Sequence, residues 1–96
     1  MAKLISKIVT IDTKKTSIRL AKPEWDAIDI ISKKENIRRN YLIELLNQNK
    51  NTKIGLTNSI RLFSIIYLYH ETMSLQLYEK NYQKTSSITE AIKGII

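Results

Sequence analysis

The sequence predicts a mainly α-helical fold introduced by one short β-strand, on three observations. Side chains alternate along Lys15-Thr16-Ser17-Ile18-Arg19-Leu20, with Ile18 and Leu20 on one face and Lys15, Ser17 and Arg19 on the other. That period of two belongs to a strand with one buried face. The strand runs straight into Ala21-Lys22-Pro23-Glu24-Trp25, where a first-turn proline and the acids Glu24 and Asp26 suit a helix start. Beyond it, apolar residues recur at helical spacing in further stretches. A lone short strand cannot satisfy its own backbone ladder. It needs a partner, and the same strand from a second copy of the chain can supply one.

Charge narrows the function before any motif does. The 96 residues make one domain, with a formal net charge of +7 and a pI near 9.7. Such a balance points to an acidic partner, nucleic acid ahead of a membrane surface. There is no cysteine, so no disulfide framework and no thiolate metal site. The longest apolar run, at 62–69, contains Ser64 and is far shorter than the roughly 20 residues of a membrane span. Lys7 and Asp12 interrupt any signal-peptide core. The expectation is a cytoplasmic protein with no membrane association.

Residues 1–14 form a basic N-terminal arm, with Lys3, Lys7 and Lys14 against Asp12. Within it, Ile8-Val9-Thr10-Ile11 has the composition of a short strand. No Gly or Asn-Gly follows to mark a tight hairpin, so an ordered strand and a mobile arm stand as equal alternatives. The first helix is placed at 23–35, with Trp25, Ile28 and Ile31 near one face. Its acids Glu24, Asp26 and Asp29 are read as solvated rather than catalytic, because nothing nearby would shift a pKa.

Asn36-Ile37 makes a break, asparagine being tolerant of the left-handed cap position. The second helix is placed at 38–48, with Tyr41, Leu42, Leu45 and Leu46 as its apolar stripe. Arg38, Arg39 and Asn40 fall in its first turn, where cations oppose the helix dipole unless an anion sits between them. A third helix is expected from Thr57 or Asn58 as N-cap. It is apolar around so much of its circumference that burial between subunits is expected. His70, the single histidine, has no metal-binding companion. The domain is set at 15–73 and the tail at 74–96. The tail is polar and aromatic over 78–84, then has a capping-box pattern from Ser87 to Glu90. Ile88, Ala91, Ile92 and Ile95 give a short C-terminal helix too small to stand alone.

In this order the elements resemble the ribbon-helix-helix superfamily of DNA-binding proteins. The resemblance rests on Thr16-Ser17-Ile18-Arg19-Leu20, on Trp25-Asp26-Ala27-Ile28, and on Leu56-Thr57-Asn58-Ser59-Ile60-Arg61-Leu62-Phe63 closing with Tyr67. Pro23 sits one place later than the family's usual proline, and Arg38 and Asn36 replace the usual small polar cap and glycine. The resemblance implies a ribbon-helix-helix fold in which one short strand per chain pairs across a homodimer and enters the major groove. Lys15, Ser17 and Arg19 are then the base-contacting residues, Arg19 as the bidentate guanine reader. Lys14, Arg38, Arg39 and Asn40 meet phosphate. Thr16, Ile18, Leu20, Trp25 and Leu42 build the dimer core.

The functional expectation is a sequence-specific DNA-binding protein, a small transcriptional repressor whose partners are double-stranded DNA and a second copy of itself, with higher-order assembly on DNA open. The alternative is an antitoxin-like or adaptor protein whose C-terminal tail binds a protein partner. An enzyme is not expected: there is no nucleophile elbow, phosphate loop, or cluster of histidines or carboxylates. No cofactor and no metal are expected either.

Overall fold

The structure, a computed structural model, describes residues 3–77 and 87–95, without the side chains of 74–77, 87 and 90. Strands β1 (Leu4–Ile11) and β2 (Lys14–Ala21) form an antiparallel hairpin, followed by helices α1 (Lys22–Lys34), α2 (Arg39–Gln48), α3 (Gly55–Leu77) and α4 (Ser87–Ile95). The expected polar stretch at 78–84 lies outside the described residues.

Of the two alternatives left open for residues 8–11 the chain adopts the strand, extended to Leu4–Ile11, and β2 finds a partner in its own chain. Ile11 pairs with Lys14, leaving Asp12 and Thr13 as a two-residue turn. Both turn residues have positive φ, 49° and 66°, which is the signature of a type I′ hairpin. The turn does without glycine, although left-handed conformations disfavour a β-branched residue such as Thr13. The strand signal of β1 is hidden as well. Its outer face holds Leu4 and Ile8 and its inner face Ile5, Val9 and Ile11, so apolar residues on both faces erase the period of two.

Ala21 has extended backbone and caps α1; its N–H donates to Glu24 Oε1 at 2.7 Å, half of a capping box. At the other end Asn36 takes the left-handed conformation, φ 57°. The Ile37 N–H donates to the Ser32 carbonyl and the Asn36 N–H to that of Lys33, the two bonds of a Schellman motif with asparagine in place of glycine. Helix α3 begins at Gly55, φ 81°, two residues before the expected cap. The Ser59 hydroxyl accepts the Asn51 N–H and anchors the connection to α2.

The hairpin lays Val9, Ile11, Ile18 and Leu20 over Trp25, Ile28 and Ile31 of α1, Leu42, Ile43 and Leu46 of α2, and Ile60, Phe63 and Tyr67 of α3. Each such buried side chain contributes roughly 1.5–3 kcal/mol. Ion pairs clamp α1 alongside α3: Glu24 with Arg61 at 2.6 Å and Lys34 with Glu71 at 3.2 Å. Between them the Tyr67 hydroxyl donates to Glu35. Burial, then that hydrogen bond and the Glu35 and Glu71 charges, raise the tyrosine pKa, so it remains a donor at any ordinary pH.

Within a single chain helix α3 is buried along one face and leaves the other open. Ile65 and Tyr69 are exposed, and His70 is half-buried with its ring edge-on to Tyr69. Helix α4 docks on α3 through the buried Ala91 and Ile95, with Gly94 against Ile66.

Candidate nucleic-acid interface

Strand β2 turns Lys15, Ser17 and Arg19 to solvent from one face, while Ile18 and Leu20 are buried on the other. The register sets Arg19 across from Ser6, Ser17 across from Ile8 and Lys15 across from Thr10. The outer face is therefore a ribbon whose β2 half is cationic and whose β1 half is uncharged.

The same register decides where the backbone groups point. With Ile11 and Lys14 as the bonded pair next to the turn, bonded and non-bonded pairs alternate along the ladder. The N–H and C=O groups of Lys15, Ser17 and Arg19 thus lie on the free edge of β2. On the opposite edge the corresponding groups of Thr10 are taken by one side chain. Thr10 N–H donates to Asn40 Oδ1 at 2.8 Å, and Asn40 Nδ2 donates to the Thr10 carbonyl at 2.9 Å. A second tie holds β1 near its start, where Trp25 Nε1 donates to the Ile5 carbonyl at 2.8 Å.

Helix α2 is positioned by this contact, its N-terminus beside Thr10 and so close to the turn end of the ribbon. The four expected phosphate ligands are treated unequally there. Arg38 is the N-cap residue and exposed, and Lys14 is exposed beside the turn. Arg39 instead lies over the Trp25 ring, 5.3 Å from its centroid, and pairs with Asp29 at 3.3 Å. Lys7 approaches the same ring at 5.7 Å, so the buried indole has two cation–π neighbours. Asn40 is occupied by Thr10 and also donates to Glu44. The structure gives Arg39 and Asn40 scaffold contacts and leaves Arg38 and Lys14 facing solvent.

The residues assigned to a dimer core are placed in the protomer's own core. Ile18, Leu20, Trp25 and Leu42 are buried within a single chain, and Thr16 is half-buried. Val9 and Ile11 of β1 share that core. The acids of α1 are all paired, Asp26 with Lys22, Asp29 with Arg39 and Glu24 with Arg61. Burial pushes the Glu24 carboxyl up, but the Ala21 N–H bond and the Arg61 guanidinium outweigh it and hold the pKa below its usual 4.5.

Sequence reasoning missed the β1 half of this surface, Ser6, Ile8 and Thr10. The signal available was the cross-strand alternation itself, once a turn at Asp12-Thr13 is allowed. Among the described residues no three His, Cys, Asp or Glu side chains gather as a metal site, and no described helix is long and apolar enough to cross a membrane.

A strand-led ribbon, two helices and an exposed basic strand face define the architecture of a ribbon-helix-helix domain. The family model for the ribbon-helix-helix domain matches residues 4–68, and the chain belongs to that family. Its members generally bind DNA, typically as dimers, through a fold that is not enzymatic. No curated protein and no solved structure matches the chain.

Proposed function

We propose that this protein is a sequence-specific transcriptional repressor that binds double-stranded DNA as a homodimer through the outer face of its ribbon. The observation that carries the reading is the strand β2, which exposes Lys15, Ser17 and Arg19 together while its other face is locked into the core. Two β2 strands meeting at their free edges would centre on Ser17 and set Lys15 of one chain across from the partner's Arg19. That cluster of like charges repels itself in the free protein. A duplex relieves it, which ties the stability of the ribbon face to DNA.

Within the groove, Arg19 offers a planar fork for the O6 and N7 acceptors of guanine. Arg38 and Lys14 hold phosphate at the groove margin, aided by the N-terminus of α2. Arg39 and Asn40 fix the distance between that helix and the ribbon. This separates base readers from the scaffold that aims them.

The test selects preferred fragments from the source genome and compares two variants on specific and random duplexes. Arg19→Ala should cost about 1–3 kcal/mol on the preferred site and relax its sequence preference. Arg38→Ala should weaken all duplexes alike and reduce the salt slope by about one contact per subunit. Neither side chain is in the core, so circular dichroism should show both variants folded. If both leave affinity and specificity untouched, the ribbon is not the reading surface.

A further inference from the structure

Strand β2 needs no second chain to complete its ladder or its core. Every residue from Lys14 to Ala21 pairs with β1 of the same chain, and Ile18, Leu20, Trp25 and Leu42 are buried without a partner. One chain is therefore a finished unit with two strand edges left to manage. The β1 edge is flanked by α2, whose Asn40 offers Thr10 one acceptor and one donor, as a neighbouring strand would. On the β2 edge the N–H and C=O groups of Lys15, Ser17 and Arg19 point outward, and Asn40 has no counterpart there among the described residues.

Charge guards this second edge instead. Lys15 and Arg19 stand on its outer face with Ser17 between them, and no acid shares that face, where β1 presents Leu4, Ser6, Ile8 and Thr10. Two β2 strands centred on Ser17 set each Lys15 directly across from the partner's Arg19. Side chains so placed are about 4.5–5.5 Å apart at Cβ, and like charges there oppose pairing. The turn acid Asp12 lies three residues before Lys15, about 10 Å away at strand spacing, too far to cancel the contact.

We propose that the free protein is a folded monomer and that a DNA duplex licenses its dimerisation by neutralising the Lys15 and Arg19 cluster at the β2 edge. The inference rests on the DNA-binding reading above and adds that the dimer is assembled on the duplex. The two cations then have a double task. They hold the duplex, and without it they hold two copies of the chain apart. Site occupancy becomes second order in protein, because two protomers meet only where one duplex binds both.

The experiment is sedimentation equilibrium on the full chain without DNA. It compares wild type, Lys15→Gln and Lys15→Glu in about 0.01 M and about 1 M sodium chloride, where charges are screened beyond about 30 Å and about 3 Å. Wild type should be monomeric at micromolar concentration in low salt. Its dimer dissociation constant should fall about tenfold in high salt, where both repelling pairs are screened. Lys15→Gln should dimerise more tightly in low salt and lose most of the salt response. Lys15→Glu turns both repelling pairs into attracting ones, so it should dimerise in low salt and weaken as salt rises. Circular dichroism should show every monomer folded. With its selected duplex, wild type should bind as two protomers per site. A wild-type dimer in low salt without DNA overturns the inference, as does a Lys15→Glu variant no more dimeric than wild type. An unfolded monomer, or a single protomer on the duplex, overturns it too. Selection of no duplex by wild type overturns the DNA-binding reading, and the licence with it, whatever the measurements without DNA show.

Discussion

Replacing Thr13 by glycine should stabilise the protein, and the size of the effect follows from the turn. Thr13 sits at φ 66°, directly after Asp12 at φ 49°. A left-handed conformation costs an L-residue about 1–2 kcal/mol, which glycine avoids. Glycine in turn brings extra freedom to the unfolded chain, offsetting about 0.5–1 kcal/mol of that relief. The Thr13 hydroxyl donates to the Asp12 carbonyl in an exposed setting, and its loss costs only a few tenths of a kcal/mol. The net gain is about 0.5 kcal/mol, equivalent to a rise in Tm of about 2–4 °C for a domain of this length. Differential scanning calorimetry and urea titration measure it, with an unchanged m-value showing that the same surface unfolds. Lys15→Gly is the control, since glycine within a strand should lower stability. If Thr13→Gly destabilises or has no effect, the two strands are not joined by this turn. The case for a ribbon completed within one chain then fails.

Two further outcomes follow from contacts away from the ribbon. Ile95 is 2% exposed on α4, so Ile95→Ala should cost about 2–5 kcal/mol in denaturant titrations; a silent substitution would mean that α4 is an undocked tail. Glu24 has a lower pKa folded than unfolded, so the unfolded chain binds the extra proton and stability falls as pH falls. Its contribution is present above the ordinary value of 4.5 and is lost as pH drops through the lowered folded value. Glu24→Gln should therefore flatten the acid limb of a urea midpoint measured against pH, and an unchanged limb would remove Glu24 from the account.

Legibility in the sequence followed the number of faces each segment buries. Strand β2 was readable because Ile18 and Leu20 are buried while Ser17 and Arg19 are exposed, so local pattern and tertiary environment agree. Helix α1 was readable for the same reason, its cap at Asn36 included. Strand β1 was readable only as one of two alternatives at 8–11, because Leu4 and Ile8 are exposed while Val9 and Ile11 are buried, so apolar residues on both faces blur the alternation that marks a strand. The turn concealed itself through Thr13, a residue that the left-handed region tolerates only at a cost.

The first turn of α2 shows a different limit. Arg38, Arg39 and Asn40 are consecutive, and composition alone gives all three the same affinity for phosphate. Successive residues on a helix point about 100° apart, so three neighbours cannot share one surface. The geometry sends Arg39 onto the Trp25 ring, Asn40 to the Thr10 backbone and Arg38 to solvent. Both scaffold contacts depend on strand β1 or on a helix preceding α2, Trp25 lying 14 residues before Arg39 and Thr10 lying 30 before Asn40. A basic cluster therefore reveals that an anion is expected nearby, while which cation meets it is decided by what the other side chains are already holding.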